Sequence, residues 1–93
     1  MSKKLPSVCS IILNWNTKEL TFQALKSLRN NNYSGPNTRL IIDNASTDGS
    51  EVFFKKKLTE DEHLIVNPQN LGYASGFNVG FEFAIDKGFD YFL

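Results

Sequence analysis

The chain has 93 residues, with ten Lys and Arg against ten Asp and Glu and a formal net charge of zero. That length holds one small domain, burying roughly 60–65% of its unfolded surface, and the charge balance excludes the basic footprint of a nucleic-acid binder in favour of a small or neutral partner. One cysteine, Cys9, has no internal disulfide partner and reads as a small buried hydrophobe in the run "VCSIIL". The opening "MSKKLPS" has the lysines of a signal peptide, but the apolar run after it is too short for one. No stretch approaches the roughly 20 apolar residues of a membrane span, so the expectation is a soluble intracellular domain.

Residues 8–13, "VCSIIL", form a nearly continuous apolar run rich in β-branched side chains, the pattern of a strand buried on both faces. The segment "NWNTKELTFQALKSLRNNN" predicts a helix with Asn16 or Thr17 as N-cap and Glu19 as a capping-box partner. Leu20, Ala24, Leu25 and Leu28 would share one face, and the run at 30–32 with "SGPN" would end the helix. Residues 39–43, "RLIID", predict a second strand. "NASTDGSEVFFKKKL" predicts a second helix, with Val52, Phe53 and Leu58 inward and the lysines at 55–57 solvated. Residues 63–66, "HLIV", predict a third strand in which His63 is structural. A third helix over about 74–87 carries Phe77, Phe81, Ala84 and Ile85 at helical spacing and is closed by Gly88. Residues 90–93, "DYFL", begin a fourth strand and the sequence stops there, which predicts a truncated chain with an exposed apolar edge.

Strands alternating with helices predict βαβ units, hence an α/β fold with a parallel sheet and helices on its faces. Ligands of such sheets gather outside the carboxyl ends of the strands, where the strand order reverses. Three clusters lie there. Trp15 offers an aromatic face to a planar base or is a lid on the core. Asn14 and Asn16 serve as caps or ligand contacts, with Asn16 the better cap. Asp43 is delivered by its strand to the mouth of the sheet, where it accepts from an imide N–H of a base or else begins the turn with Asn44. Asp48 sits in "STDGS", the residues of turns and helix caps. "DNASTDGSE" does not follow the spacing of a calcium loop, so no metal is expected in it.

The third cluster is "NLGYASGFNVGF". Gly72, Gly76 and Gly80 recur every four residues, which on a helix makes one smooth stripe for close approach of a backbone or a ligand. This is not GxGxxG, so the dinucleotide fingerprint is absent. Asn70 reads as a turn former or pocket amide, and Asn78 as a polar contact within the helix.

"VCSIILNWN", "RLIIDNASTDGS" and "NPQNLGYASGFNVGF", in that order, resemble the N-terminal half of a family 2 glycosyltransferase of the GT-A, Rossmann-like fold, especially its rhamnosyltransferase-like branch. The resemblance implies that residues 1–93 are the nucleotide-sugar-binding half of such a domain. It implies that Trp15 packs on the base and Asp43 accepts from its imide nitrogen, with Asn14, Asn16 and Asn44 beside them. It also implies that Asn70, Gly72, Ala74 and Asn78 close over the nucleoside. Where many members have an arginine before the motif's asparagine, this chain has Phe77, which puts a diphosphate contact there in doubt. The metal-binding DxD and the general base of inverting members are not in the sequence, so no catalytic or metal residue is assigned and this portion alone is expected to be inactive.

For the full-length enzyme the resemblance implies Mg2+ or Mn2+, a UDP-, dTDP- or GDP-linked sugar donor, and inverting transfer to a saccharide or lipid-linked acceptor in surface polysaccharide synthesis. It places the enzyme in the cytoplasm, with peripheral association at the inner face of the membrane as an option. Self-association through the unfinished fourth strand is a further expectation. The alternative is a noncatalytic α/β nucleotide-binding or interaction module.

Overall fold

The structure, a computed structural model, describes residues 5–31 and 33–92. The opening lysines, Asn32 in the expected helix end and Leu93 in the expected last strand lie outside them. The elements are β1 (Val8–Asn14), α1 (Lys18–Arg29), β2 (Asn37–Asp43), α2 (Ser50–Lys57), β3 (Glu62–Val66), α3 (Tyr73–Asp86) and β4 (Tyr91–Phe92). The sheet order is β3-β2-β1-β4 and every pairing is parallel, so the α/β alternation read from the sequence is the fold. The chain steps from β1 through β2 to β3 in one direction and returns to pair β4 on the other side of β1. The order therefore reverses between β1 and β4, and β1 carries the residues that border this crevice.

Right-handed crossovers in opposite directions put their helices on opposite faces of the sheet, and the core divides accordingly. On one face Leu25 of α1, Ile41 of β2 and Phe54 of α2 are fully buried, with Ile12, Phe22, Phe53, Leu58 and Leu64 packed against them. On the other, Ala84 of α3 meets Cys9, Ile11, Leu40 and Ile42, flanked by Leu13, Phe77, Phe81 and Phe83. Alternation along each strand assigns the faces: Ile41 points to α1 and α2, and Leu40 and Ile42 to α3. Burial pushes the Cys9 thiol up to about 11, in keeping with an inert core position.

Three expected helix faces differ. Leu20 and Ala24 are exposed, and α1 instead buries Thr21 and Leu25 and half-buries Phe22 and Leu28. On α2 Phe53 packs inward as expected, and so does Leu58 just after it, but the fully buried residue is Phe54, whereas Val52 is 61% exposed. Ile85 is also exposed, although Phe77, Phe81 and Ala84 pack as expected. In a helix of eight residues a run such as "VFF" satisfies either face, and the choice falls to whichever ring fills the gap above Ile41.

Gly76 and Gly80 lie where α3 crosses β1. A Cβ on Gly80 would stand 2.8 Å from Ile11 Cγ2, and one on Gly76 2.8 Å from Leu13 Cδ1. Gly72 does not continue this stripe: it precedes α3 with φ of 80° and nothing near its Cβ position, so backbone conformation is its reason to be glycine. Gly88 ends α3 at φ of 77°, its N–H donating to the Ile85 carbonyl.

The amino end of the sheet is fastened by Glu62, whose side chain is fully buried between two arginines. Arg29 donates to it from Nη2 at 2.7 Å and Nε at 2.8 Å, Arg39 from Nε at 2.8 Å, and Thr59 from its backbone N–H at 2.9 Å. Burial alone would raise its pKa, but these donors outweigh it and hold the carboxyl at about 2, against 4.5 ordinarily. This one group ties α1, β2 and the turn into β3 together.

Candidate functional site

At the carboxyl ends of the strands each chain segment hands a backbone hydrogen bond to its neighbour. Asn44 N–H donates to the Asn14 carbonyl at 2.9 Å, and Asn67 N–H to the Asp43 carbonyl at 2.8 Å. Side chains then alternate across the sheet, so that Asp43 lies on the α1–α2 face with Asn14, and Asn44 on the α3 face. Two polar clusters follow from that alternation.

The first centres on Asp43, 1% exposed, and Asn14, fully buried. Asn14 Nδ2 donates to Asp43 Oδ1 at 2.8 Å, and Ser46 Oγ donates to the same oxygen at 2.5 Å. Among the described residues Asp43 Oδ2 receives only a long contact, 3.4 Å, from the Ser46 N–H. Ser46 Oγ in turn accepts from Asn16 N–H at 2.8 Å and from Asn14 Nδ2 at 3.2 Å. Asn16 has φ of 53° and Ala45 φ of 62°, so both loops contain a residue in the left-handed region, sparsely used outside glycine. Trp15, between Asn14 and Asn16, is 54% exposed at the rim.

The second cluster centres on Asn44, 2% exposed. Its Nδ2 donates to Asn70 Oδ1 at 3.0 Å and to the Gly72 carbonyl at 3.1 Å, and its Oδ1 accepts from Asn67 Nδ2 at 3.1 Å and Leu71 N–H at 3.0 Å. Two donors and two acceptor sites are all an amide has. Asn44 is therefore the clamp that holds the segment from β3 to α3, and Gly72 N–H closes the turn on Asn70 Oδ1 at 2.8 Å.

Of the nine residues singled out by the sequence, Trp15, Asn16, Asn70, Gly72, Ala74 and Asn78 are exposed, and Asn14, Asp43 and Asn44 are buried behind them. Neither Asn16 nor Thr17 caps α1 with its side chain, and Glu19 closes no capping box. Asn16 Oδ1 instead accepts from Thr47 N–H at 2.7 Å, and Thr17 Oγ1 donates to Asn14 Oδ1 at 3.2 Å. The acceptor at the start of α1 comes from the next loop, as Asp48 Oδ2 takes Lys18 N–H at 3.3 Å while Oδ1 takes Ser50 N–H at 3.0 Å. One carboxylate thus serves the first turns of α1 and α2, and Lys18 Nζ also donates to its carbonyl. Burial works to raise the Asp48 pKa, but the Ser50 and Lys18 hydrogen bonds prevail and hold it below the usual carboxylate value. Asp43 and Asp48 have separate partners and do not act as a pair.

A cleft of about 360 Å³ beside this loop is lined by Asn16, Thr17, Lys18, Glu19, Leu20 and Asp48. A larger one, about 730 Å³, lies at the opposite end of the sheet around Ser7, Pro36 and Asp90, away from the strand ends that bind ligands in such folds. No three Asp, Glu, His or Cys side chains converge among the described residues in a set that could hold a metal ion. The described residues therefore supply no ligand set for the cation that the resemblance implies for the full-length enzyme.

Ser46 escaped the sequence reading as a site residue, because "NAST" reads locally only as a turn. Ser46's partners lie up to 32 residues away, and no local pattern reports such a contact.

A four-stranded parallel sheet with polar strand ends, flanking helices and a clamped turn before a glycine-containing helix is consistent with a Rossmann-like fold of the GT-A type. The family model of glycosyl transferase family 2 matches residues 9–93, and the chain belongs to that family. No curated protein and no solved structure shows a significant match to it. No helix among the described residues is long and apolar enough to cross a membrane.

Proposed function

We propose that this chain is the donor-binding half of a glycosyltransferase and holds the nucleoside of a nucleotide-diphosphate sugar at the carboxyl ends of β1 and β2. The observation that carries the reading is the juxtaposition of exposed Trp15 with Asp43, whose Oδ1 is fixed by Asn14 and Ser46 while Oδ2 lacks a close partner among the described residues. Trp15 stacks on the base, and Asp43 accepts from its imide N–H, a donor present in uracil, thymine and guanine. The turn at 67–72, held by Asn44, presents Asn70 and Gly72, and the exposed first turns of α3 add Ala74 and Asn78 on the nucleoside side.

In the intact enzyme this half would present a UDP-, dTDP- or GDP-linked sugar to a saccharide or lipid-linked acceptor for surface polysaccharide synthesis. Transfer would invert the anomeric carbon, with Mg2+ or Mn2+ as the cation, in the cytoplasm or at the inner face of the membrane.

Calorimetric titration of the intact protein with UDP, dTDP, GDP and NAD tests the reading. Saturable binding of at least one of the first three, with none for NAD, is expected. Binding of NAD alone, or of no nucleotide, would overturn it.

A further inference from the structure

Resting on that reading, we propose that Ser46 is a positioning residue that determines which bases the site accepts. A serine hydroxyl has one donor and two acceptor sites, and all three are engaged. It donates to Asp43 Oδ1 at 2.5 Å and accepts from Asn16 N–H at 2.8 Å and Asn14 Nδ2 at 3.2 Å. Through the first bond it makes the two oxygens of Asp43 unlike. Among the described residues Oδ1 is bound by two donors, and Oδ2 has only the 3.4 Å contact from the Ser46 backbone. Through the second it fixes the residue next to Trp15, which holds an unfavourable φ of 53°. One hydroxyl thus sets the acceptor oxygen and the stacking ring relative to each other.

The consequence is selectivity rather than affinity alone. A carboxylate oxygen with no close donor from the protein welcomes a ring N–H, and it repels a ring nitrogen that itself carries a lone pair. Uracil, thymine and guanine present an imide or lactam N–H on that edge, and cytosine and adenine present a lone pair. With Ser46 removed, Asp43 is free to rotate and loses a donor, Asn16 N–H loses its acceptor, and the discrimination falls.

The test measures dissociation constants by calorimetry on the intact protein and on Ser46→Ala, Ser46→Thr and Asp43→Asn. The tightest binder among UDP, dTDP and GDP is compared with its counterpart lacking the N–H, CDP for the pyrimidines and ADP for GDP. The parent protein is expected to prefer the N–H-bearing nucleotide by about tenfold or more, the size of one charge-assisted hydrogen bond. Ser46→Ala should lower that ratio to within about threefold of unity, chiefly by weakening the preferred nucleotide, and Ser46→Thr, which keeps the hydroxyl, should restore it. Ser46→Cys keeps the shape with only a weak donor and covers the case in which the alanine variant unfolds; it too must lower the ratio. An undiminished ratio in folded Ser46→Ala or Ser46→Cys, with Asp43→Asn abolishing it, overturns the role of Ser46 and leaves base reading by Asp43 standing. A parent ratio near one overturns base reading, and Ser46's part in it.

Discussion

Asn14 and Asp43 stand opposite each other in register across β1 and β2, and the amide of one donates to the carboxylate of the other at 2.8 Å with both side chains buried. This pair closes the carboxyl end of the two central strands. Asn14→Ala would remove a donor from Asp43 Oδ1 and the acceptor of Thr17 Oγ1, leaving polar atoms unpaired in a buried setting. A loss of about 1–3 kcal/mol is expected, read as a lower urea midpoint at unchanged slope.

The Glu62 cluster makes stability depend on acid. Its carboxyl titrates near 2 in the folded protein and at an ordinary value of 4.5 when unfolded. A depressed carboxylate contributes fully above the unfolded value, and that contribution is lost as pH falls from about 4.5 toward 2. Glu62→Gln should cost about 3 kcal/mol at neutral pH, since Arg29 and Arg39 lose their counter-charge. Melting curves across that window should then decline less for the variant than for the parent; parallel declines would remove Glu62 as the cause.

Gly80→Ala improves helix propensity by about 1 kcal/mol and should still destabilise, by about 1–3 kcal/mol net. The added methyl would meet Ile11 Cγ2 at 2.8 Å, a stiff β-branched methyl on a central strand. Gly76→Ala should destabilise as well, because its methyl meets Leu13 Cδ1 at 2.8 Å and the clamped Asn44 Nδ2 at 3.2 Å. In Gly80→Ala with Ile11→Ala the two losses should sum to less than their separate values. Strict additivity in denaturant melts would mean that the two sites do not touch.

The α/β order and the strand ends were legible because apolar β-branched runs broken by Asn14 and Asp43 have few other solutions. The helix faces were less so. Leu20 and Val52 fit an amphipathic stripe as well as Phe22 and Phe54 do, and tertiary packing of the aromatic rings chose between them. The cap of α1 was not legible, since Asp48 reaches Lys18 across 30 positions. For the same reason the sequence showed Asp43 at the mouth of the sheet but not Ser46 holding it, and showed Asn44 as a contact rather than as the clamp of the next turn. Local chemistry marks where a site lies, and long-range hydrogen bonds decide which of its residues face outward.

Trp15 is the only tryptophan among these 93 residues and is 54% exposed, so the tryptophan emission that is lost in Trp15→Phe reports the proposed stacking position. Titration with the nucleotide that binds best among UDP, dTDP and GDP should quench its emission saturably, with the same dissociation constant as calorimetry. Trp15→Ala should weaken that binding by about 1–3 kcal/mol while leaving the melting temperature nearly unchanged. Nucleotide binding that leaves both the Trp15 emission and the affinity of Trp15→Ala unaltered would contradict a base held at the carboxyl end of β1.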